Sequence, residues 1–353
     1  MIISLCIIAY NEEGALARLF EDIKAQTFPK SQTQVVLVNS RSTDSTRRLM
    51  ESFAEQNTQY HSVVVVNCRK RLQAAAWNTA ITHTTGDVII RLDAHSTIPS
   101  DFLAQNASVI EGGEYVCGGA RPTKAESETP WQMTLLAAED SMFGSSFASY
   151  RRESDERRYV DTLFHAAYRT EVFANVGGFN EQLGRTEDNE MHYRIRQAGY
   201  KICCDPRIKS YQYIRSSLSK MIKQKFGNGF WVALTLGVCP KCISIFHFAP
   251  LCLLLAILVL GIIALLGFSM PLIALLCVYA LFDLLITVGA FFSETKYPHF
   301  LLLPLIFPIL HLSYGVGSVL GLLKMPFWRY DAKRKSKRGI ERVKKKLESR
   351  KPD

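Results

Sequence analysis

Between Ile245 and Leu323 the chain is overwhelmingly apolar, and this run limits the possible folds more than any other feature. Three stretches, about 246–268, 271–292 and 300–323, are each long enough to cross roughly 30 Å of hydrocarbon at about 1.5 Å per residue. Backbone N–H and C=O groups find no water there, so such stretches must pair internally as helices. The third contains Pro304, Pro308, His311, Gly315 and Gly317 and reads as broken or re-entrant, leaving two full spans. Residues 1 to about 230 mix charged and apolar residues as soluble domains do. The linear division is therefore a first domain at 1–230, an interfacial linker at 231–245, a membrane part at 246–323 and a tail at 324–353.

The tail carries 13 Lys/Arg against 4 Asp/Glu, nearly all of the formal charge of +10. A run such as Lys333-Arg334-Lys335-Ser336-Lys337-Arg338 beside apolar spans reads as a cytoplasmic anchor attracted to anionic membrane lipid. Nothing aromatic interleaves the basic residues, so no nucleic-acid partner is expected. The 9 Cys show no spaced framework, which fits a reducing compartment. Cys239-Pro240-Lys241-Cys242 is a lone pair and no zinc site. No cleavable signal is read at Met1-Ile2-Ile3-Ser4, so the first domain is expected in the cytoplasm.

The first 95 residues alternate strand and helix. Ile2 to Ala9 is an apolar strand, and Leu16, Leu19, Phe20 and Ile23 recur at helical spacing until Pro29. Further strands are read at 35–38, 62–66 and 88–92, with helices between them, the first opened by Ser42-Thr43-Asp44-Ser45. The pattern predicts an α/β fold with a mostly parallel sheet covered on both faces. A helix from Pro99 and a strand near Tyr115 follow. Residues 121–160, with Gly144-Ser145-Ser146 and Arg151-Arg152-Glu153, read as a polar active-site loop region. Order returns at 172–176 and in a helix from Glu187 to Gln197 that Gly199 ends.

The run Gly86-Asp87-Val88-Ile89-Ile90-Arg91-Leu92-Asp93-Ala94-His95-Ser96 ends a buried strand in a carboxylate and an imidazole. Both accept Mn2+ or Mg2+, and in open α/β sheets ligands bind at the carboxyl ends of the strands. An isolated Asp-x-His is more often an ordinary polar loop. Downstream, Thr186-Glu187-Asp188-Asn189-Glu190 opens a helix, whose dipole and free amides favour ionised acids there. A capping cluster is the plain alternative.

Together these patches resemble the inverting family 2 glycosyltransferases of the GT-A type, most closely the succinoglycan-biosynthesis ExoA-like membrane enzymes. The resemblance covers essentially the whole chain and implies a GT-A, Rossmann-like domain followed by transmembrane helices. Ile7-Ile8-Ala9-Tyr10-Asn11-Glu12 looks like the first strand and turn, where nucleoside contacts begin at Ala9, Asn11 and Glu12. Val38-Asn39-Ser40-Arg41-Ser42-Thr43-Asp44 is similar to the second strand, with Asn39 where the family usually has Asp. Ala75-Ala76-Trp77-Asn78-Thr79 resembles the segment whose Asn faces the nucleotide, although a helix-surface Asn explains it equally well. Asp93-Ala94-His95 matches the metal motif in its Asp-x-His form, Asp93 reaching ribose and metal and His95 the metal. Asp188 resembles the catalytic base, with Glu187 beside it on the acceptor side.

Gly177-Gly178-Phe179 implies close backbone approach to sugar or acceptor at Gly178, tight-turn glycine being the alternative. Gln224 and Trp231 fall where related enzymes carry Gln-x-x-Arg-Trp, with Phe230 in place of the Arg. An amphipathic interfacial helix explains them nearly as well. The resemblance implies a multi-pass membrane enzyme using Mn2+ or Mg2+. It would move a hexose, such as glucose from a UDP-sugar, to a lipid-linked, polyprenyl-type saccharide in exopolysaccharide or cell-envelope synthesis. A processive polysaccharide synthase or a non-catalytic sugar-nucleotide-binding scaffold are the alternatives.

Overall fold

The computed structural model describes residues 1–144, 155–292 and 297–350, so Ser145, Ser146 and Arg151-Arg152-Glu153 lie outside the described residues. In chain order the elements are β1 (Ile3–Ala9), α1 (Glu13–Lys24), β2 (Thr33–Asn39), α2 (Thr46–Gln56), β3 (Ser62–Asn67), α3 (Gln73–Ile81), β4 (Val88–Asp93), β5 (Ser96–Thr97), α4 (Phe102–Glu111), β6 (Val116–Ala120) and β7 (Thr123–Lys124). They continue as α5 (Pro130–Asp140), β8 (Arg158–Tyr159), β9 (Ala167–Arg169), α6 (Thr170–Val176), α7 (Glu187–Gln197), β10 (Cys203–Lys209), β11 (Tyr211–Tyr213), α8 (Leu218–Thr235), α9 (Ala249–Leu265), α10 (Met270–Phe291) and α11 (Leu303–Glu348).

These form two compact units that do not follow the linear division. The first comprises Met1–Pro122, Ser149–Gln212 and Asp331–Asp353; the second comprises Thr123–Ala148 and Tyr213–Tyr330. The boundary expected near residue 230 thus falls at 212, and most of the tail belongs to the first unit rather than standing apart from it.

The first unit is built on an 8-stranded sheet of order β3-β2-β1-β4-β9-β6-β10-β8. Strands β3, β2, β1 and β4 are mutually parallel, whereas β9 runs antiparallel to both β4 and β6. Alternation along each strand sends side chains to two faces. On one face Leu5, Ile7, Val35, Leu37, Ile90 and Leu92 pack with α1, α2 and α4 residues such as Leu19, Met50 and Phe102. On the other, Cys6, Val36, Val38 and Ile89 pack with Trp77 of α3, Phe173 of α6, Ile195 of α7, and Val343 and Leu347 of α11. Fully burying such aliphatic side chains stabilises by about 1.5–3 kcal/mol each.

Three helical segments, Ile245–Leu265, Met270–Phe291 and Pro298–Glu348, are long and apolar enough to cross a membrane, the last beginning in the second unit and ending in the first. The third was expected to be broken, yet α11 is one continuous 46-residue helix with Pro308 and Pro326 inside it. Its glycines explain why the stretch looked irregular. A Cβ on Gly317 would lie 2.1 Å from the Phe226 carbonyl and one on Gly321 2.4 Å from that of Phe230, so they admit the backbone of α8 rather than end the helix. In the region read as polar loop, Thr129 Oγ1 accepts from the Gln132 amide at 3.3 Å and caps α5, which Pro130 opens.

Candidate active site

Parallel pairing aligns the carboxyl ends of β1, β2 and β4: Ala9 lies beside Asn39, and Ile8 beside Asp93. The loops leaving this edge are locally strained. Among the described residues the non-glycine positions in the left-handed region are Asn11 at φ 54°, Arg41 at φ 62° and Thr186 at φ 67°. Such conformations cost about 1–3 kcal/mol each and persist only where surrounding contacts enforce them. Asn11 follows β1, Arg41 follows β2, and Thr186 immediately precedes Glu187.

The first two loops clasp each other. Asn11 Oδ1 accepts from the Thr43 amide at 2.8 Å, and the Asn11 amide donates to Ser42 Oγ at 3.1 Å. Asp44 accepts from the amides of Thr46 (3.0 Å) and Glu13 (3.3 Å), and Glu13 accepts from that of Ser45 (2.9 Å), so each helix start supplies an acid to the other. The capping reading of Asp44 is the one this geometry realises. Asn39 is buried, donates to Asn67 Oδ1 at 2.9 Å and accepts from the Ser42 amide at 3.0 Å. One donor hydrogen and one lone pair of its amide remain for a base or ribose.

Asp93 is buried at the end of β4. Burial alone would raise its carboxyl, but the imidazole of His165, that of His95, and the Arg91 guanidinium outweigh this and hold it well below the ordinary carboxylate range. His165 Nε2 lies 3.8 Å from Asp93 Oδ2, and the ring is held by Ser96 Oγ (3.1 Å) and Ser210 Oγ (2.8 Å). Burial pushes this imidazole down to about 4, against the opposing pull of Asp93, so it is neutral at pH 7. His95 lies between Glu12 Oε1, 3.3 Å from Nδ1, and the Gln212 amide nitrogen, 3.1 Å from Nε2.

Arg91, two residues before Asp93, points to the same face and is completely enclosed. Its guanidinium lies 4.6 Å from the ring centres of both Trp77 and Phe179. Among the described residues its Nε and Nη1 have no hydrogen-bond partner. A buried cation of this kind needs counter-charge. The ionised Asp93 carboxylate provides it, and the acids Asp188 and Glu187 also favour the charged guanidinium against the penalty of burial. The two acidic patches, nearly a hundred residues apart in sequence, thus share one cation.

Glu187 is 3% exposed and Asp188 half-buried, both in the first turn of α7. Burial raises the Asp188 carboxyl above its ordinary value, with Arg91 acting in the opposite sense. Glu187 is raised by burial and then by the Asp188 charge beside it. Because folding raises Glu187, its protonated form favours the folded chain below the unfolded value, and that contribution is lost as pH rises through the folded one. Glu187→Gln is therefore expected to raise Tm at pH 8 by about 2–4 °C, with a smaller effect at pH 5, in thermal unfolding of the detergent-solubilised protein.

Asn78 and Gly178 are taken up by the packing of the chain itself. Asn78 is neither exposed on its helix nor open to a ligand. It is fully buried, with Nδ2 donating to the Phe179 carbonyl (2.9 Å) and Glu181 Oε1 (3.1 Å), and Oδ1 accepting from the Phe179 amide (2.7 Å). Gly178 admits close approach, but of this chain itself: a Cβ there would lie 2.4 Å from Asn78 Oδ1 and 2.5 Å from Val343 Cγ2, leaving no room for a sugar. Gln224 and Trp231 lie on α8 in the second unit, where the Trp231 ring packs edge-on against Trp328 at 6.2 Å. Arg91 and His165 went unassigned in the sequence. The signal for Arg91 was a lone charge inside a strand otherwise apolar on both faces.

A divalent cation fits the donor set at the edge of the sheet. The Asp93 carboxylate is held ionised, and a carboxylate oxygen with an imidazole nitrogen is a donor pair that divalent cations accept. No group of three His, Cys, Asp or Glu side chains converges among the described residues. The protein would therefore supply few ligands and leave the remainder to phosphate oxygens and water, as hard divalent ions commonly require.

Residues 4–177 match the family described as Glycosyl transferase family 2. The chain is 29% identical over 233 residues to succinoglycan biosynthesis protein ExoA of Rhizobium meliloti, covering 64% of this chain and 68% of that protein. A dolichyl N-acetyl-alpha-D-glucosaminyl phosphate 3-beta-D-2,3-diacetamido-2,3-dideoxy-beta-D-glucuronosyltransferase of Methanococcus voltae is 24% identical, covering 91% and 97%. Among solved structures, a mannosyltransferase from Pyrobaculum calidifontis in complex with GDP-Man and Mn2+ superposes with TM-score 0.62 at 20% identity, covering 90% of this chain and 86% of that one. The parallel sheet, the acid at the end of its fourth strand and these likenesses together identify the chain as a glycosyltransferase of family 2 with the GT-A fold.

Proposed function

We propose that the enzyme transfers a hexose from a nucleoside diphosphate sugar, UDP-glucose or a close relative, to a saccharide carried on a polyprenyl-type lipid, with inversion. The observation that carries this reading is the shared environment of Asp93 and the Glu187–Asp188 pair around Arg91. Ala9, Asn11, Glu12 and Asn39 line the nucleotide side. The acceptor hydroxyl attacks the anomeric carbon while Asp188, whose proton affinity is raised by burial, takes its proton. The nucleoside diphosphate leaves from the opposite face, so an α-linked donor gives a β-linkage. A divalent cation held by Asp93 and His95 would supply Lewis-acid stabilisation of the charge developing on the diphosphate. Arg91 fixes the relative potential of the two acidic patches, and the neutral His165 holds Asp93 in place.

The lipid-borne acceptor is supported by the names of relatives: besides the dolichyl-linked enzyme, an undecaprenyl-phosphate 4-deoxy-4-formamido-L-arabinose transferase of Yersinia enterocolitica is 27% identical over 207 residues. Apolar helices on the same chain would raise the local concentration of such an acceptor. Residues 1–122 and 331–353 belong to one compact unit, which has to stay on one side of a bilayer. The crossings are then even in number, so at most two of the three apolar segments cross, with the catalytic unit and its basic residues in the cytoplasm.

The test is release of UDP by the purified, detergent-solubilised protein given UDP-glucose, Mn2+ and lipid-linked saccharide. Release that stops on chelation and returns with Mn2+, with one hexose added per acceptor by mass, supports the proposal. Long products would mean a processive synthase, and absence of release with every nucleotide sugar would leave a scaffold.

A further inference from the structure

We propose that the end of α11 is a positioning strut for the helix that presents Asp188, with the Gly178 peptide unit as its joint. The Gly178 amide donates to the Ile340 carbonyl of α11 at 3.1 Å, and the Gly178 carbonyl accepts from Arg194 Nη2 of α7 at 2.7 Å. Arg194 also donates to the Val176 carbonyl at 2.6 Å and pairs with Glu190 on its own helix at 2.7 Å. Two hydrogen bonds, one on each side of a single residue, therefore connect the tail to the base-bearing helix.

The joint is tightly packed. A Cβ on Gly177 would stand 2.5 Å from Ile340 Cγ2, and one on Gly339 2.8 Å from Glu181 Cγ and 2.9 Å from Asn78 Nδ2. Glu181 links the parts electrostatically, accepting from Asn78, from Lys70, and from Arg342 of α11 at 2.9 Å. Farther along, Arg350 donates to the carbonyls of Thr82 and Thr84 just past the end of α3, where a cation also complements the helix dipole. Ala332, Gly339, Val343 and Leu347 are buried, whereas Lys333, Arg334, Lys337, Arg338 and Lys345 on the remaining face are exposed. The helix is amphipathic, and its apolar stripe belongs to the catalytic unit.

The groove between α11 and α3, lined by Thr79, Thr82, His83, Arg342, Lys346 and Arg350, could be mistaken for an anion site. Arg342 is paired with Glu181 and Arg350 with carbonyls, so these cations already serve the strut.

This inference rests on Asp188 being the base, and the experiment separates the two. In the full chain, Gly339→Val forces the joint apart, Arg342→Gln removes one link, and Arg342→Lys preserves its charge. Each is assayed for kcat, for donor KM and for amide hydrogen exchange over residues 178–196. Gly339→Val is expected to lower kcat by about 10- to 100-fold, the scale of a small misplacement of a reacting group. Donor KM should stay within about twofold of wild type, since binding residues that do not move keep their contribution, and exchange in 178–196 should speed up. Arg342→Gln should shift all three readouts in the same direction but less, and Arg342→Lys should recover most of the loss. Faster exchange with unchanged kcat, or kcat and KM worsening together, overturns the strut. If Asp188→Asn turns over normally, the base assignment fails, while the exchange data still report whether the tail holds the loop.

Discussion

Asp188→Asn is expected to slow turnover by about 10²–10⁴-fold, the usual contribution of a positioned general base, while leaving UDP affinity nearly unchanged. The amide is close to isosteric with the carboxylate and can still accept the Asn189 amide, so the start of α7 should survive the change. What disappears is the ability to take a proton from the acceptor hydroxyl. Removing one negative charge beside buried Glu187 also relieves repulsion, so the variant should be no less stable than the parent. Single-turnover release of UDP, with calorimetric titration of UDP alone, separates the chemical step from binding. A variant with normal kcat would transfer the base role to another residue.

Asp93→Ala should behave differently, losing both donor affinity and turnover. Its carboxylate is held ionised at the end of β4, where the leaving diphosphate and its cation would gather charge. Loss of one preorganised stabilising group at developing charge typically costs about 10²–10³-fold in rate. Here weaker Mn2+ binding, measurable in the protein alone by electron paramagnetic resonance, should accompany the kinetic loss. The substitution also strips Arg91 of a counter-charge without removing its other partners, so a small drop in Tm is expected with it. Equal, mild effects from the Asp93 and Asp188 substitutions would contradict their separate roles.

Much of this was legible in the residues. The strands β1, β2 and β4 announce themselves because both faces are buried, giving continuous apolar runs with helical spacing between them. The acids at 93 and 188 were found from their positions at element ends, where polar residues are conspicuous. Arg91 and His165 were not, because their importance lies in what surrounds them after folding; neither a lone arginine in a strand nor a histidine near a loop has a period. Strand β9 is only Ala167–Arg169, too short for alternation to register, and it runs antiparallel to both of its neighbours in a mostly parallel sheet. Glycine misled twice. In α11 it read as a breaker and proved to be a site of close helix packing; at Gly178 it read as room for substrate and proved to be room for Val343. The tail was read by charge alone, although Ile340, Val343 and Leu347 recur at helical spacing within it.

Because Val343 and Leu347 complete the apolar layer over α3, α6 and α7, the sugar-transferring unit cannot finish folding when its own strands emerge from the ribosome. Its last piece is synthesised only after all three apolar helices, so a nascent chain carries an uncovered patch until those helices have been made. An enzyme assembled in this order completes its catalytic unit last, and a recombinant fragment ending near residue 230 would leave that patch uncovered.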